Sequence, residues 1–177
     1  MSRLYVYRPA DPVETAECWA LALQRRDGPS LLALTRQSLP LLRREPDAEN
    51  RSARGAYVLA EIDGKRQVTL LATGSEVSVA MAHREALAKD GVRAAVVSMP
   101  CWEIFDKAPR EYQYAVLGAA PRVAVEAAVR FGWDCWLGPR GAFIGMEGFG
   151  ASAPAEALFP HFGITPEKVA EAARSLL

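Results

Sequence analysis

Two histidines, His83 and His161, and three cysteines, Cys18, Cys101 and Cys135, are all that 177 residues provide of the imidazoles and thiols from which zinc sites and disulfide frameworks are built. The cysteines are odd in number, far apart and without a C-x-x-C spacing, so neither a disulfide scaffold nor a zinc site is indicated. Charge of one sign is equally lacking. Lys and Arg total 21 against 21 Asp and Glu, and no stretch is basic enough to predict a nucleic-acid or membrane partner. No apolar run reaches the about 18 residues of a spanning helix, and the opening MSRLYVYRP has no apolar signal core, so a cytoplasmic location is expected. The serine signature G-x-S-x-G is missing as well, which with two histidines leaves a hydrolase triad poorly supported. What is present is apolar: half of all residues, enough for a proper core in one domain, or one domain plus an appendage. Small molecules or proteins remain as partners.

The chain is organised around Val68–Pro100. Val68–Ala72 is a short apolar run, Gly74 breaks it, Ser75–Lys89 reads as a helix, Asp90-Gly91 turns, and Val92–Ser98 is a second β-branched run. A crossover of that length joins parallel neighbours with a right-handed connection, so the strands belong side by side in a sheet covered by helices. Ser75 is placed to cap the helix, whose Val77, Ala80, Met81 and Ala88 form one apolar face. The turn Thr73–Glu76 lies where open α/β sheets place ligands. Its spacing is neither G-x-G-x-x-G nor a P-loop, and Glu76 repels anions, so an N-cap is the plainer reading.

Before this unit, Leu4–Tyr7 is a strand and Asp11-Pro12-Val13-Glu14 opens a helix in a capping-box arrangement. Ser30–Leu34 is an apolar strand of the buried parallel kind, ending in Thr35-Arg36-Gln37-Ser38. One such β-α-β unit cannot bury both faces of its strands, so it reads as the tail end of a sheet whose other strands are absent. Arg43–Arg54 is charged and aperiodic, the pattern of a linker. Gly55–Glu61 and the Val68 strand suggest a β-hairpin, which puts one antiparallel edge strand on an otherwise parallel sheet. Trp102–Ala108 and Arg110–Leu117 are short helices, Arg122–Ala128 and Ala142–Met146 further strands, and Pro154–Phe162 and a Thr165-capped segment closing helices. The expected fold class is α/β, three-layer αβα, mostly parallel.

Several residues are candidates for chemistry. Cys101 lies just past a strand end, where a nucleophile could sit, although a buried cysteine is commonly a small hydrophobe. His83 is expected on the polar side of its helix and His161 near a helix end, both solvated or locally capping. Glu126 stands inside the apolar run Val123–Ala128 and must be paired or raised in pKa, as a functional carboxylate or in an ion pair with an arginine. The glycines of Gly141–Gly150 match no nucleotide fingerprint; close packing or bending is the default. Arg36 sits directly beyond the carboxyl end of a strand, where a guanidinium grips a ligand phosphate or carboxylate with two hydrogen bonds.

The segments Tyr7-Arg8-Pro9-Ala10-Asp11 with Glu14, Leu34-Thr35-Arg36-Gln37, Arg54-Gly55-Ala56-Tyr57-Val58-Leu59, Ala72–Val77, Val97–Pro100 with Phe105-Asp106, and Gly145-Met146 through Phe149–Glu156 to Phe162-Gly163 together resemble the carboxyl-terminal part of transketolases, from about Tyr5 to Leu177. The resemblance implies an enzyme that moves a two-carbon ketol unit between sugar phosphates in the pentose phosphate pathway, using thiamine diphosphate and Mg²⁺ in a homodimer. It implies that Met1–Leu42 is the last β-α-β of a pyrimidine-binding domain, Arg43–Arg54 a linker and Gly55–Leu177 the third domain, which has no established catalytic residue. It also implies that Arg36 holds the substrate phosphate. The family's metal and diphosphate motif, its activating glutamate and its Gly-Pro-Thr-His stretch are absent from the sequence. No catalytic, cofactor-binding or metal-binding residue is therefore expected here, and the chain is expected to be a fragment or one half of a split enzyme, partnered by the missing amino-terminal portion. A free-standing interaction, regulatory or dimerisation module is the competing expectation.

Overall fold

The computed structural model describes residues 3–44 and 47–177. β1 (Tyr5–Tyr7), α1 (Pro12–Gln24) and β2 (Ser30–Leu32) form a β-α-β unit whose strands pair in parallel, Tyr5 opposite Ser30 and Tyr7 opposite Leu32. A one-turn 3₁₀ helix, Arg51–Arg54, leads into β3 (Tyr57–Ala60). β4 (Val68–Ala72), α2 (Glu76–Lys89) and β5 (Ala94–Ser98) make the central crossover. α3 (Trp102–Phe105) and α4 (Arg110–Leu117) precede β6 (Arg122–Val129); α5 (Asp134–Leu137), β7 (Ala142–Met146), α6 (Ala155–His161) and α7 (Pro166–Ser175) complete the chain.

The five-stranded sheet runs β3-β5-β4-β6-β7, parallel except for β3. Side chains alternate across it as the pleat requires. Leu70, Ala72, Val96, Val123 and Val125 face α2 and α7, meeting Val77, Ala80, Leu87, Val169 and Ala173. Leu71, Val97 and Ala124 face the other way onto Phe105, Val116, Leu117, Trp133 and Trp136. Helices on both faces make this the expected three-layer αβα sandwich. Each fully buried leucine of β4 contributes about 1.5–3 kcal/mol.

The hairpin expected between Gly55–Glu61 and β4 does not form. β3 is the antiparallel edge strand, but it pairs with β5, Tyr57 opposite Ser98 and Val58 opposite Val97. β4 is apolar but for Thr69 and buried on both faces, so it takes the centre of the sheet, with parallel partners filling both its edges. β3 is left the far side of β5.

The amino-terminal unit packs on the sheet rather than standing apart. Ala10 belongs to the main core, and Tyr7 and Cys18 form a smaller cluster with Cys101 and Ile104. Asp11 caps α1 by accepting from the Glu14 N–H at 2.8 Å, and Glu14 reaches back to the Ala10 N–H at 2.7 Å, one residue beyond the cap. Of Arg43–Arg54, Glu45 and Pro46 lie outside the described residues. Its remainder is held to α1 by Glu17, which pairs with Arg43 at 2.8 Å and accepts from the Ser52 hydroxyl at 2.7 Å. Among the described residues no helix is long and apolar enough to cross a membrane.

Candidate functional site

Arg36 follows β2 in a bend and is exposed. Thr35 shapes the bend, its hydroxyl accepting from the Gln37 N–H at 3.2 Å. Among the described residues no carboxylate forms an ion pair with Arg36. Beside it, Leu34, Thr35 and Gln37 form one wall of a groove of about 470 Å³, with Pro12, Thr15 and Trp19 opposite. The guanidinium is thus open to solvent next to a partly apolar groove; β2 stops at Leu32 and not at the expected Leu34, so Arg36 lies four residues past the strand end.

The carboxyl ends of β1, β4 and β6 converge on a second constellation. The Arg8 N–H donates to the Pro100 carbonyl at 2.8 Å, and the Gly74 N–H to the Arg8 carbonyl at 3.0 Å. This splices β1 to the end of β4. The Arg8 guanidinium stacks 4.6 Å from the centre of the Trp102 ring and pairs with Glu126. Trp133 donates its indole N–H to the other oxygen of Glu126 at 2.5 Å. Of the two readings open for Glu126, the ion pair with an arginine is the one found.

The turn ahead of α2 departs from expectation. Ser75 does not cap the helix with its side chain; its hydroxyl donates to Glu76 at 2.6 Å. Its own backbone is already helical, so its oxygen cannot reach back to an N–H two or three residues on. Thr73 donates to the Met99 carbonyl at 2.9 Å and ties β4 to β5. Glu76, nine-tenths buried, is raised above the ordinary carboxylate range by desolvation.

The other candidates resolve into structural roles. Cys101 is buried and desolvation pushes its thiol up to about 12, the opposite of what a nucleophile needs. His83 is not on a polar face: it is 1% exposed, and burial lowers it to about 4. The packing of α7 across α2 covers the helix face that looks polar in isolation. His161 is exposed and packs edge-on against Phe162, ring centres 4.8 Å apart. In the glycine-rich stretch, a Cβ on Gly145 would lie 2.5 Å from the Glu126 carbonyl, so glycine serves close strand packing.

One polar centre escapes sequence reasoning. Glu14, fully buried, accepts from the Tyr57 hydroxyl at 2.7 Å and the Ser98 hydroxyl at 2.6 Å as well as from Ala10. Its capping-box position was the only signal, and that says nothing of burial. Desolvation raises its pKa.

The residues present do not fit a magnesium-diphosphate centre. Among the described residues no three of His, Cys, Asp and Glu gather, and the buried carboxylates Glu14 and Glu126 are already engaged by hydroxyls, an indole and an arginine. No catalytic step is therefore assigned to these side chains.

Residues 55–165 match the transketolase-like TK C-terminal domain. The transketolase of Sinorhizobium medicae is 59% identical over 175 residues, covering 98% of this chain and 25% of the relative. That of Cereibacter sphaeroides is 55% identical over 171 residues, covering 97% and 26%. Among solved structures, transketolase from Leishmania mexicana superposes with a TM-score of 0.88 at 42% identity, over 99% of this chain and 25% of that one. The fold also recurs, with a TM-score of 0.79 at 24% identity, in a split-gene transketolase solved as an inactive β4 tetramer, where it covers 58% of the chain. The chain spans about a quarter of the length of the curated relatives it matches. A match over almost the whole of this chain at this identity, on the fold just described, places the chain in the transketolase family, as the carboxyl-terminal part of such a protein.

Proposed function

We propose that this chain works as the carboxyl-terminal part of an enzyme that transfers a two-carbon ketol unit between sugar phosphates with thiamine diphosphate and Mg²⁺, and that Arg36 binds the substrate phosphate within it. The observation that carries this reading is the match of almost the whole chain to transketolases at 59% and 55% identity. Two features of the molecule agree with it. Arg36 presents a guanidinium with no internal carboxylate partner among the described residues, suited to a phosphate dianion. The outer face of the β-α-β unit is apolar and open, with Trp19, Leu23, Leu31 and Leu34 at 49%, 68%, 45% and 53% exposure. An apolar face of that kind asks for a partner.

The partner we infer is the remaining three quarters of a transketolase, which supplies the cofactor groups this sequence lacks. In the assembled enzyme the chain acts in a homodimer in the cytoplasm; alone it is catalytically silent. The test is reconstitution. The purified chain, mixed with the separately produced remainder of a transketolase, restores ketol transfer between sugar phosphates, while the chain alone neither turns over sugar phosphates nor binds thiamine diphosphate with Mg²⁺. Micromolar calorimetric binding of the cofactor by the chain alone overturns the division of labour.

A further inference from the structure

The sheet order turns in opposite directions from β4, to β5 on one side and β6 on the other. At such a switch point the carboxyl ends of neighbouring strands part and leave a crevice, the usual ligand position in an open α/β sheet. Here the crevice is real. It measures about 510 Å³, within the range of small-molecule pockets.

Its lining is chemically one-sided. Phe159, Phe162 and Met146 turn apolar, polarisable surface toward it and Gln37 and Ser75 add neutral polar groups; among the described residues Glu76 is the one charged side chain of the lining, and no Lys or Arg takes part. α6, which carries Phe159, has no fully buried residue; Phe159 and Phe162 pack partly against the main core and turn their remaining surface to the crevice. Glu76 is 8% exposed, and among the described residues no cation pairs with it. The nearby Arg8 is already committed to Glu126. The Ser75 hydroxyl and the Ala127 N–H bond this buried carboxylate, but among the described residues no cation neutralises its charge, and a buried charge without a paired counter-charge is costly. Aromatic faces beside a lone carboxylate are the recognition set for an organic cation, whose charge meets the carboxylate while its ring or chain lies on the phenylalanines.

We propose that the crevice between α2 and α6 binds a small organic cation, an amine or amidine carried on an apolar ring, with Glu76 as its counter-ion and Phe159 and Phe162 as its walls. This site adjoins the groove beside Arg36, sharing Gln37 with it, but is distinct from the phosphate-binding role of Arg36. It takes ligands of the opposite charge.

Benzamidine tests it directly, with benzoate as the probe of equal size and reversed charge. Calorimetric titration of the full chain at pH 7.5 is expected to give saturable one-to-one binding of benzamidine and none of benzoate. Glu76→Gln, nearly isosteric, should weaken benzamidine at least tenfold. Ala155→Phe, which fills the crevice from α6 without touching Glu76, should abolish binding while circular dichroism and the unfolding midpoint confirm a native fold. No benzamidine binding by the unsubstituted chain overturns the proposal. So does equal binding by the Gln variant, or benzoate binding as tightly as benzamidine.

Discussion

The carboxylate of Glu14, in the first turn of α1, lies 2.7 Å from the phenolic oxygen of Tyr57 on the edge strand of the other sheet. With Ser98 at 2.6 Å on the neighbouring strand, one buried acid joins the β-α-β unit to the sheet at two points. Glu14→Ala leaves both hydroxyls buried without an acceptor, and stranded donors cost more than the lost bonds themselves. The variant is expected to lose about 3 kcal/mol in urea unfolding. Glu14→Gln keeps an acceptor and loses about 1 kcal/mol. A double-mutant cycle with Tyr57→Phe should return a coupling of about 1 kcal/mol.

The same residue sets a pH dependence of definite sign. Desolvation raises Glu14 in the folded state, so the native protein holds this proton to higher pH than the unfolded chain does. Its stabilising contribution is full below the ordinary carboxylate range and is lost as pH rises through the raised value. Glu14→Gln should therefore compare least well with the unsubstituted chain at low pH and recover relative to it as pH rises. A constant gap in unfolding free energy across the acid range would mean that the carboxyl does not titrate anomalously.

His83 runs the other way. Burial lowers it to about 4, and among the described residues Nδ1 has no hydrogen-bond partner, so the folded state resists taking up a proton that the unfolded chain accepts near pH 6.5. Stability from this group is present above pH 6.5 and is lost as pH falls through about 4. The nearby Glu167 carboxylate only partly offsets the desolvation. His83→Leu should unfold at a similar urea concentration at neutral pH, yet exceed the unsubstituted chain by about 2 kcal/mol at pH 4, somewhat below the full linkage of the shift. Parallel pH profiles for the two proteins would rule out a neutral buried imidazole.

His83 also marks where sequence reading stops. The parallel core was legible because Val68–Ala72 and Ala94–Ser98 are apolar but for Thr69 and Ser98, a pattern that suits a sheet covered on both faces. The Thr165 and Asp11 caps were legible because capping is local, and both side chains accept the expected N–H. Which strand β3 joins is a long-range choice settled by competition for the edges of β4, and adjacency in sequence pointed to the wrong one. A histidine on a polar helix face looks solvated until α7 is laid over it. Arg36 was visible as a strand-end arginine, but the feature that makes it a ligand candidate, the lack of an internal carboxylate partner among the described residues, belongs to the folded chain.

Gly55–Leu177 is proposed as the autonomous folding unit, because it holds the five-stranded sheet and the helices on both its faces. Produced without residues 1–54 it should unfold cooperatively, since the Tyr57 and Ser98 hydroxyls then gain water in place of Glu14. Limited proteolysis of the full chain should cut first within Arg43–Arg54. Early cleavage elsewhere, or a truncated protein without near-ultraviolet dichroism, would refute the boundary.

Arg36 carries the most specific functional prediction. The phosphate of a sugar lies far from the reacting carbons, so an arginine that holds it contributes binding shared by ground and transition states, and its loss raises KM far more than it lowers kcat. In the reconstituted enzyme Arg36→Ala should weaken the use of phosphorylated sugars by about 1.5–3 kcal/mol, the scale of a charged hydrogen bond, and leave unphosphorylated acceptors nearly untouched. Because Arg36 is exposed and has no ion-pair partner among the described residues, the same substitution should change unfolding stability by less than about 0.5 kcal/mol. Arg36→Lys keeps the charge but not the planar fork, and should fall between the two. Equal losses for phosphorylated and unphosphorylated substrates, or a marked loss of stability, would assign Arg36 a structural role and remove it from the phosphate site.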